Sequence, residues 1–200
     1  MPRAAYHHGN LRTALVDEAV AAVRERGPEG LALRELARRV GVSHNAAYRH
    51  FAHRDDLVAA VADHAMAGLV AAMQRQLDAV DEPDPVLRAR LRLAGVGRAY
   101  VEFALAERGL FQVAFSSHVG RDETRAAEES PYRLLSDTLD DLVDVGYLAP
   151  QHRLGAEELC WSAVHGFSLL CLAGHVGGHD PDATAAHLER VLLAVDRSLS

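Results

Sequence analysis

Apolar residues in this chain recur mainly at intervals of three and four residues, which is the spacing of one face of an α-helix. No stretch alternates β-branched with polar residues in the way that a half-buried strand does. The longer predicted helices cover residues 55–80, 85–108, 131–145, 156–174 and 182–199. We therefore expect an all-α protein.

Glycine and proline residues separate these predicted helices. The helix at 85–108 is expected to end at Gly109 and to be followed by a short apolar piece at 110–115. Its predicted inward positions are Leu87, Leu91, Ala94, Val101 and Leu105. The polar segment 118–130 is expected to be a loop or a frayed helix.

The stretch 33–51 predicts two short helices joined by a tight turn. Gly41 ends the first helix, because a residue without Cβ enters the left-handed conformation at no steric cost. Ser43 is a natural N-cap for the second helix. Ala47 and Phe51, four residues apart, share the inward face of that helix.

The outward face of the second helix then carries His44, Asn45, Tyr48 and Arg49. Asn can pair with adenine and Arg with guanine in the major groove, while Tyr and His can bond phosphate oxygens. This is the pattern of a DNA-reading helix-turn-helix. The plainer alternative is a helical hairpin with a solvated polar face.

The block from His7 to about Ala62 resembles the DNA-binding domain of the TetR (tetracycline repressor) family of bacterial regulators. The matching motifs are Leu33-Arg34-Glu35-Leu36-Ala37, Gly41-Val42-Ser43, Tyr48-Arg49-His50-Phe51 and Leu57. Together with the pattern above, the resemblance implies DNA contacts by Arg34, Ser43, His44, Asn45, Ala46, Tyr48, Arg49, His50 and Arg54. His7 and His8 fit an N-terminal arm that touches the DNA backbone or minor groove.

Two positions depart from the family pattern. Ala32 stands where a Thr or Ser cap is common, so the capping box with Glu35 is half missing. Arg54 stands where Lys is usual, and Arg serves a phosphate contact equally well or better.

The resemblance implies two domains, a three-helix helix-turn-helix domain at 1–56 and a helical effector-binding and dimerisation domain at 57–200. The segment 158–174 is apolar nearly all round and therefore needs cover on most sides. It is either the centre of its own domain or half of a subunit interface. We expect a homodimer through the last two long helices that binds a palindromic, double-stranded operator.

The element Trp161-x-x-x-His165-Gly166 resembles a hallmark of one TetR subgroup's C-terminal domain. A small-molecule effector of unknown identity is expected in a pocket of this domain, because ligand cavities are mainly apolar with a few placed polar groups. The candidate ligand-binding residues are Tyr100, Phe103, Phe111, Phe115, Trp161 and His165. Each is also compatible with a plain core position.

Charge is unevenly distributed along the chain. The net charge is −7, with 9 Arg against 7 acidic residues at positions 1–60 (+2) and 12 against 21 at positions 61–200 (−9). The DNA-facing end is thus the less repulsive one, although the whole protein is acidic.

Twelve histidines suggest a metal-sensing alternative, in which His175 and His179 act with His165, His187, Cys160 or Cys171. The signal is weak because two glycines interrupt the helix between the paired histidines. Cys160 and Cys171 lie about three helical turns apart, so we expect no disulfide.

Other classes of protein have little support in the sequence. No motif indicates a nucleophile beside a base, a phosphate loop or a metallohydrolase, so we expect no enzyme, no catalytic residue and no cofactor. No segment approaches about 18 uninterrupted apolar residues, so we expect no membrane span and a cytoplasmic protein.

Overall fold

The computed structural model of the chain describes residues 11–116, 130–178 and 180–200, and all secondary structure in these ranges is helical. The α-helices are α1 (Leu11–Arg26), α2 (Leu33–Val40), α3 (His44–Tyr48), α4 (Arg54–Asp78), α5 (Pro85–Ala106), α6 (Arg108–Ser116), α7 (Pro131–Asp144), α8 (Ala156–Leu172) and α9 (Pro181–Ser198). Short 3₁₀ helices lie at Gly27–Gly30 and Pro150–His152. The predicted all-α class is confirmed.

The described residues form two compact units. The first unit holds residues 11–66 and 107–116, and the second holds 67–106, 130–178 and 180–200. The first half of α4 and all of α6 therefore belong with the helix-turn-helix, which differs from the predicted division after residue 56.

The first unit is built on the apolar face of α1, against which α2, α3 and α6 pack. Leu15, Val23, Leu36 and Phe51 are almost completely buried there. Leu15, Val23 and Leu36 are apolar positions on the inward faces of α1 and α2, so burial of these faces stabilises helices that are too short to persist alone.

The second unit is organised around α5, which packs against α7, α8 and α9. The inward face of α5 runs through Ala89, Leu93, Val96 and Tyr100. The prediction of Leu87 and Leu91 as inward residues is wrong, since both are exposed. In the first turns of α5 the buried side chains are Ala89 and Leu93, on the opposite face of the helix. Which face is buried depends on the contacts of α5 with α7 and α9.

The predicted end of α5 at Gly109 is also wrong. The chain breaks its helix at Glu107, and Gly109 lies inside α6 without a positive φ. A Cβ at Gly109 would lie 2.5 Å from the carbonyl oxygen of Val23. Gly109 therefore allows α6 to approach α1 closely.

The segment 118–130 lies outside the described residues except for Ser130. The Ser130 hydroxyl oxygen accepts a hydrogen bond from the Arg133 N–H at 3.1 Å and so caps α7. At the other end, Gly146 has a φ of +73°, as expected for a helix-terminating glycine.

Within the part of the chain that the structure describes, α4 alone is long and apolar enough to cross a membrane. The core helix of a soluble protein meets the same two criteria. Asp63 lies near the middle of α4, and Leu57, Leu69 and Met73 on the same helix are buried inside the protein.

Candidate DNA-binding surface and internal cavity

Local signals position α3 at the surface of the first unit. Gly41 adopts φ +78° and ψ 29°, the left-handed conformation that ends α2. Ser43 then caps α3, because its hydroxyl oxygen accepts a hydrogen bond from the Ala46 N–H at 3.2 Å. Ala47 and Phe51 are buried. The predicted glycine turn and cap are confirmed, and Ala47 and Phe51 are buried as predicted, although α3 ends at Tyr48, three residues before Phe51.

The opposite face of α3 is polar and largely in contact with solvent. Of the nine residues predicted to contact DNA, six are exposed (Arg34, Ser43, Asn45, Tyr48, Arg49 and Arg54) and three are half-buried (His44, Ala46 and His50). His7 and His8, assigned to the N-terminal arm, lie outside the described residues.

His44 links α3 to α2. The Arg34 Nε–H donates a hydrogen bond to His44 Nε2 at 3.2 Å, which requires that this ring nitrogen carry no proton. The His44 ring also lies 4.2 Å from the Tyr48 ring. Arg34, His44 and Tyr48 are therefore held as one array across the two helices.

Two further arginines of α2 are occupied by carboxylates, which the sequence pattern does not reveal. Arg39 pairs with Glu18, Glu25 and Glu35 at 2.8–3.4 Å. Glu35 also accepts from Arg38, and this hydrogen bond lowers the pKa of Glu35 to about 2. As predicted, Ala32 supplies no side-chain cap to α2, and Glu35 instead binds these arginines.

The start of α4 follows the end of α3 after five residues. The His53 N–H donates to Asp56 Oδ2 at 2.9 Å, which satisfies a backbone donor at the helix N-terminus. Arg54 is exposed, and its Nη2 lies 3.4 Å from the Pro28 carbonyl oxygen.

The second unit contains a partly open cavity of about 50 Å³. Its wall comes from α4, α5, α7, α8 and α9 and is mainly apolar, with Met73, Leu93, Val96, Leu135, Val164, Leu192 and Val195. Tyr100, Cys160, Trp161, Arg90 and Asp196 supply the polar atoms. A mainly apolar wall with a few polar groups is the usual lining of a ligand site.

Tyr100 and His165 form the polar contact beside this cavity, with the Tyr100 hydroxyl 2.7 Å from His165 Nδ1. Burial raises the pKa of Tyr100 and lowers the pKa of His165. Both pKa shifts favour the uncharged forms, in which the Tyr100 hydroxyl donates a hydrogen bond to Nδ1 of a neutral His165. The Trp161 ring lies on the same helix as His165, with its centroid 6.2 Å from that of the Tyr100 ring.

Only two of the six predicted ligand-binding residues, Tyr100 and Trp161, lie in the cavity wall. His165 is bonded to Tyr100, and Phe103 lies in the second unit where it contacts Gly68. Phe111 and Phe115 pack together in the first unit, with ring centroids 4.7 Å apart.

The sequence reasoning missed Arg90 and Asp196, the two charged residues of the wall. In the sequence, each of them is a charged residue next to apolar helix positions. Many ordinary surface residues show the same pattern, so it does not identify a cavity residue.

Among the described residues, no group of three or more His, Cys, Asp or Glu side chains is placed to hold a metal ion. His179, one member of the suggested histidine pair, is outside those residues. Cys160 and Cys171 are buried free thiols, as expected from their spacing. Burial raises the pKa of both thiols, to about 12 for Cys160.

These features define the class of protein, a helix-turn-helix DNA-binding protein with a helical second unit. Residues 15–61 match the model of the tetR family of bacterial regulatory proteins, and residues 93–195 match that of tetracyclin repressor-like C-terminal domains. The chain belongs to the TetR family of transcriptional regulators. The Trp-x-x-x-His-Gly subgroup stays a prediction.

Similar proteins include an HTH-type transcriptional repressor of Mycobacterium tuberculosis, 41% identical over 51 residues. That match spans 26% of this chain and 27% of the relative. A Rhodococcus protein of unknown function has a solved structure with a TM-score of 0.78, at 28% identity over 98% of this chain and 97% of that one. A TetR variant from Acinetobacter baumannii in complex with minocycline has a TM-score of 0.61, at 18% identity over 93% and 96%.

Proposed function

We propose that this protein is a homodimeric repressor that binds a palindromic operator and is released by a small molecule bound in the second unit. The observation that carries the proposal is the polar, exposed face of α3 opposite the buried Ala47 and Phe51. Asn45 and Arg49 are suited to base edges, and Tyr48 and Arg54 to phosphates.

The dimer is proposed to form through α8 and α9. Leu159, Leu169 and Leu170 on α8 and Leu193 on α9 are 43–49% exposed in the single chain. A Cβ at Gly166 would meet nothing within 4 Å, so this face of α8 has room for a neighbouring helix. Four large apolar side chains on two adjacent helices favour a subunit interface over a solvated surface.

The effector is proposed to bind in the cavity lined by Tyr100 and Trp161. The Acinetobacter relative, whose fold is similar, holds minocycline. An effector can shift the dimer away from its DNA-binding state only by the difference between its affinities for the two states. Such a shift would change the distance between two recognition helices that must reach half-sites about 34 Å apart.

DNA binding is tested by selecting sites from random duplex DNA with the purified full chain and then measuring affinity across a salt series. A palindromic site is expected, with affinity that falls steeply with salt because each neutralised phosphate releases counterions. A folded dimer that enriches no sequence in the absence of effector would contradict the proposal.

Four variants separate base reading from phosphate contact. Tyr48→Phe and Arg54→Ala should weaken binding to all sequences, whereas substitutions of His44 or Asn45 should change base preference, by about 1–3 kcal/mol for a lost bidentate contact. Arg133→Ala is the matched control, since it removes one exposed Arg from α7 in the second unit. Unchanged affinity in all four variants would exclude α3 as the DNA-reading surface.

The dimer is tested with Leu170→Glu and Leu193→Glu, which place a charge in the proposed interface. Both should give monomers in sedimentation and lose affinity for the full palindrome. Leu154→Glu is the control, because Leu154 is 95% exposed and lies outside both helices. Dimers that persist in both interface variants would place the interface elsewhere.

The family's regulators are in general soluble rather than membrane-bound, and a cytoplasmic location fits a protein that binds DNA. They are in general not enzymes. The metal-sensing alternative is not favoured, because it lacks a cluster of ligands among the described residues.

A further inference from the structure

The cavity wall contains one pair of opposite charges. Arg90 of α5 donates to Asp196 of α9 through two parallel hydrogen bonds, Nε to Oδ1 at 3.0 Å and Nη2 to Oδ2 at 2.6 Å. The guanidinium also lies 4.8 Å from the centroid of the Tyr147 ring. Arg90 and Asp196 therefore cancel one another, and the wall carries no net charge.

The charged forms of both residues are stable in this arrangement. The hydrogen bond from Arg90 lowers the pKa of Asp196, and the same bond raises the pKa of Arg90. Asp196 is 19% exposed, so a carboxylate left there without its partner would lose hydrogen bonds that water only partly replaces. A ligand that forms an ion pair with Arg90 in place of Asp196 would therefore bind less tightly by the free energy of those lost hydrogen bonds.

The remaining polar groups of the wall are engaged or neutral. The Tyr100 hydroxyl is hydrogen-bonded to His165. The Cys160 thiol stays protonated because burial raises its pKa. None of these groups supplies a positive charge for an anionic ligand.

Size limits the ligand as well. The cavity volume of about 50 Å³ is below the ~150 Å³ of an apolar cavity that holds benzene. A single ring therefore requires side chains to move, and Met73 in the wall is suited to that because its unbranched chain adopts several conformations.

We infer that the cavity binds a small, uncharged, mainly apolar molecule of about one aromatic ring, and that Asp196 excludes carboxylates by occupying Arg90. This rests on the proposed function in treating the cavity as the effector site. Trp161 and Tyr100 provide aromatic edges and faces against which such a ring packs.

Trp161 provides a direct readout, since it is the sole Trp of the chain and lies in the cavity wall. Its fluorescence is titrated with benzyl alcohol and with benzoate, two single-ring probes that differ in charge. Benzyl alcohol should give a saturable change, and benzoate should bind at least tenfold more weakly. Preference for benzoate, or no binding of either probe up to its solubility limit, would overturn the inference.

Asp196→Asn tests the selectivity residue, because it leaves Arg90 without a counter-charge. Benzoate should then bind at least tenfold more tightly than to the unmodified protein. Glu189→Gln is the matched control, since Arg98 and Glu189 form a 2.6 Å pair between the same two helices but lie outside the cavity wall. Equal benzoate affinities in the two variants would refute the role of Asp196.

Ala94→Leu tests whether benzyl alcohol binds in this cavity, and it can be used even if Asp196→Asn fails to fold. Ala94 lies in the cavity wall, so the larger side chain should fill the space and abolish the response to benzyl alcohol. An unchanged response would place the probe elsewhere and contradict the inference.

Operator release is measured separately, by anisotropy of labelled operator DNA with the same two probes. Binding of benzyl alcohol without release would leave the ligand class standing and remove the effector role. Release by benzoate alone would support an effector-responsive repressor and overturn the ligand class.

Discussion

In the first unit, Asn45 and Tyr48 of α3 and the adjoining Arg49 extend into solvent, whereas in the second unit Tyr100 and Trp161 line a partly open cavity. Tyr48 is 42% exposed and Tyr100 only 3%. Exposed side chains can change without disturbing the packing below them. Buried ones contribute to the core and to the candidate ligand site at once, so their two roles are harder to separate by mutation.

Two aromatic residues three positions apart give the strongest test of this contrast. Phe51→Ala should lower the free energy of unfolding by about 3–5 kcal/mol, because Phe51 is buried between α1 and the helix-turn-helix. Tyr48→Ala should change it by less than about 0.5 kcal/mol while weakening operator binding. Denaturant unfolding and DNA titration measure the two effects. Equal destabilisation by both variants would show that α3 has no separable surface role.

Substitution of one glycine in each unit compares how tightly the two units are packed. Gly109→Ala should destabilise by about 1–3 kcal/mol, since its Cβ would meet the Val23 backbone oxygen, which cannot move without its helix. Gly97→Ala should cost less, because its Cβ would meet a terminal methyl of Leu192 at 2.8 Å, and Leu192 can change rotamer.

Gly97 and Leu192 both line the cavity, so Gly97→Ala should also weaken the benzyl alcohol response, while Gly109→Ala in the first unit should not. Thermal unfolding and Trp161 fluorescence measure the two quantities. The reverse order of stability would indicate that α6 moves away from α1 more easily than Leu192 repacks.

Helix caps test how far local signals determine the first unit. Ser43→Ala should lower the free energy of unfolding by about 1 kcal/mol through loss of the hydrogen bond from the Ala46 N–H. Ala32→Ser should raise it by a similar or smaller amount, because it supplies the hydroxyl that α2 lacks. Denaturant unfolding measures both. A loss on Ala32→Ser would mean that the exposed β conformation of Ala32 does not admit the capping geometry.

The first unit was predictable in detail because its determinants are local. A positive φ at Gly41 and a hydroxyl cap at Ser43 depend on a few neighbouring residues, and the inward positions of Ala47 and Phe51 follow from helical spacing. The structure places each of them as the sequence indicates.

The second unit was predictable only in outline because its determinants are tertiary. Helix spacing permits more than one buried register for α5, and Leu87 and Leu91 lie outside the one that packs against α7 and α9. The pairing of Arg90 with Asp196 joins residues 106 positions apart, which no local pattern contains. A tertiary contact also defeats the prediction at Gly109 of the first unit, where a glycine that sequence reasoning takes for a helix end instead allows α6 to approach α1.

The smallest expected effect concerns the pH dependence of stability in the second unit. Burial lowers the pKa of His165 below its value in the unfolded chain, about 6.5, and the nearby Tyr100 hydroxyl donates to its neutral form. The unfolded chain therefore binds the proton first as pH falls, so stability should be constant above about pH 7 and decline as pH drops from 6.5 through the folded-state value. His165→Gln should flatten this decline, because it removes the group whose pKa differs between the folded and unfolded chain. Thermal unfolding between pH 8 and 5 measures the difference, and parallel curves for His165→Gln and the unmodified protein would mean that His165 takes up its proton as readily inside the folded unit as outside it.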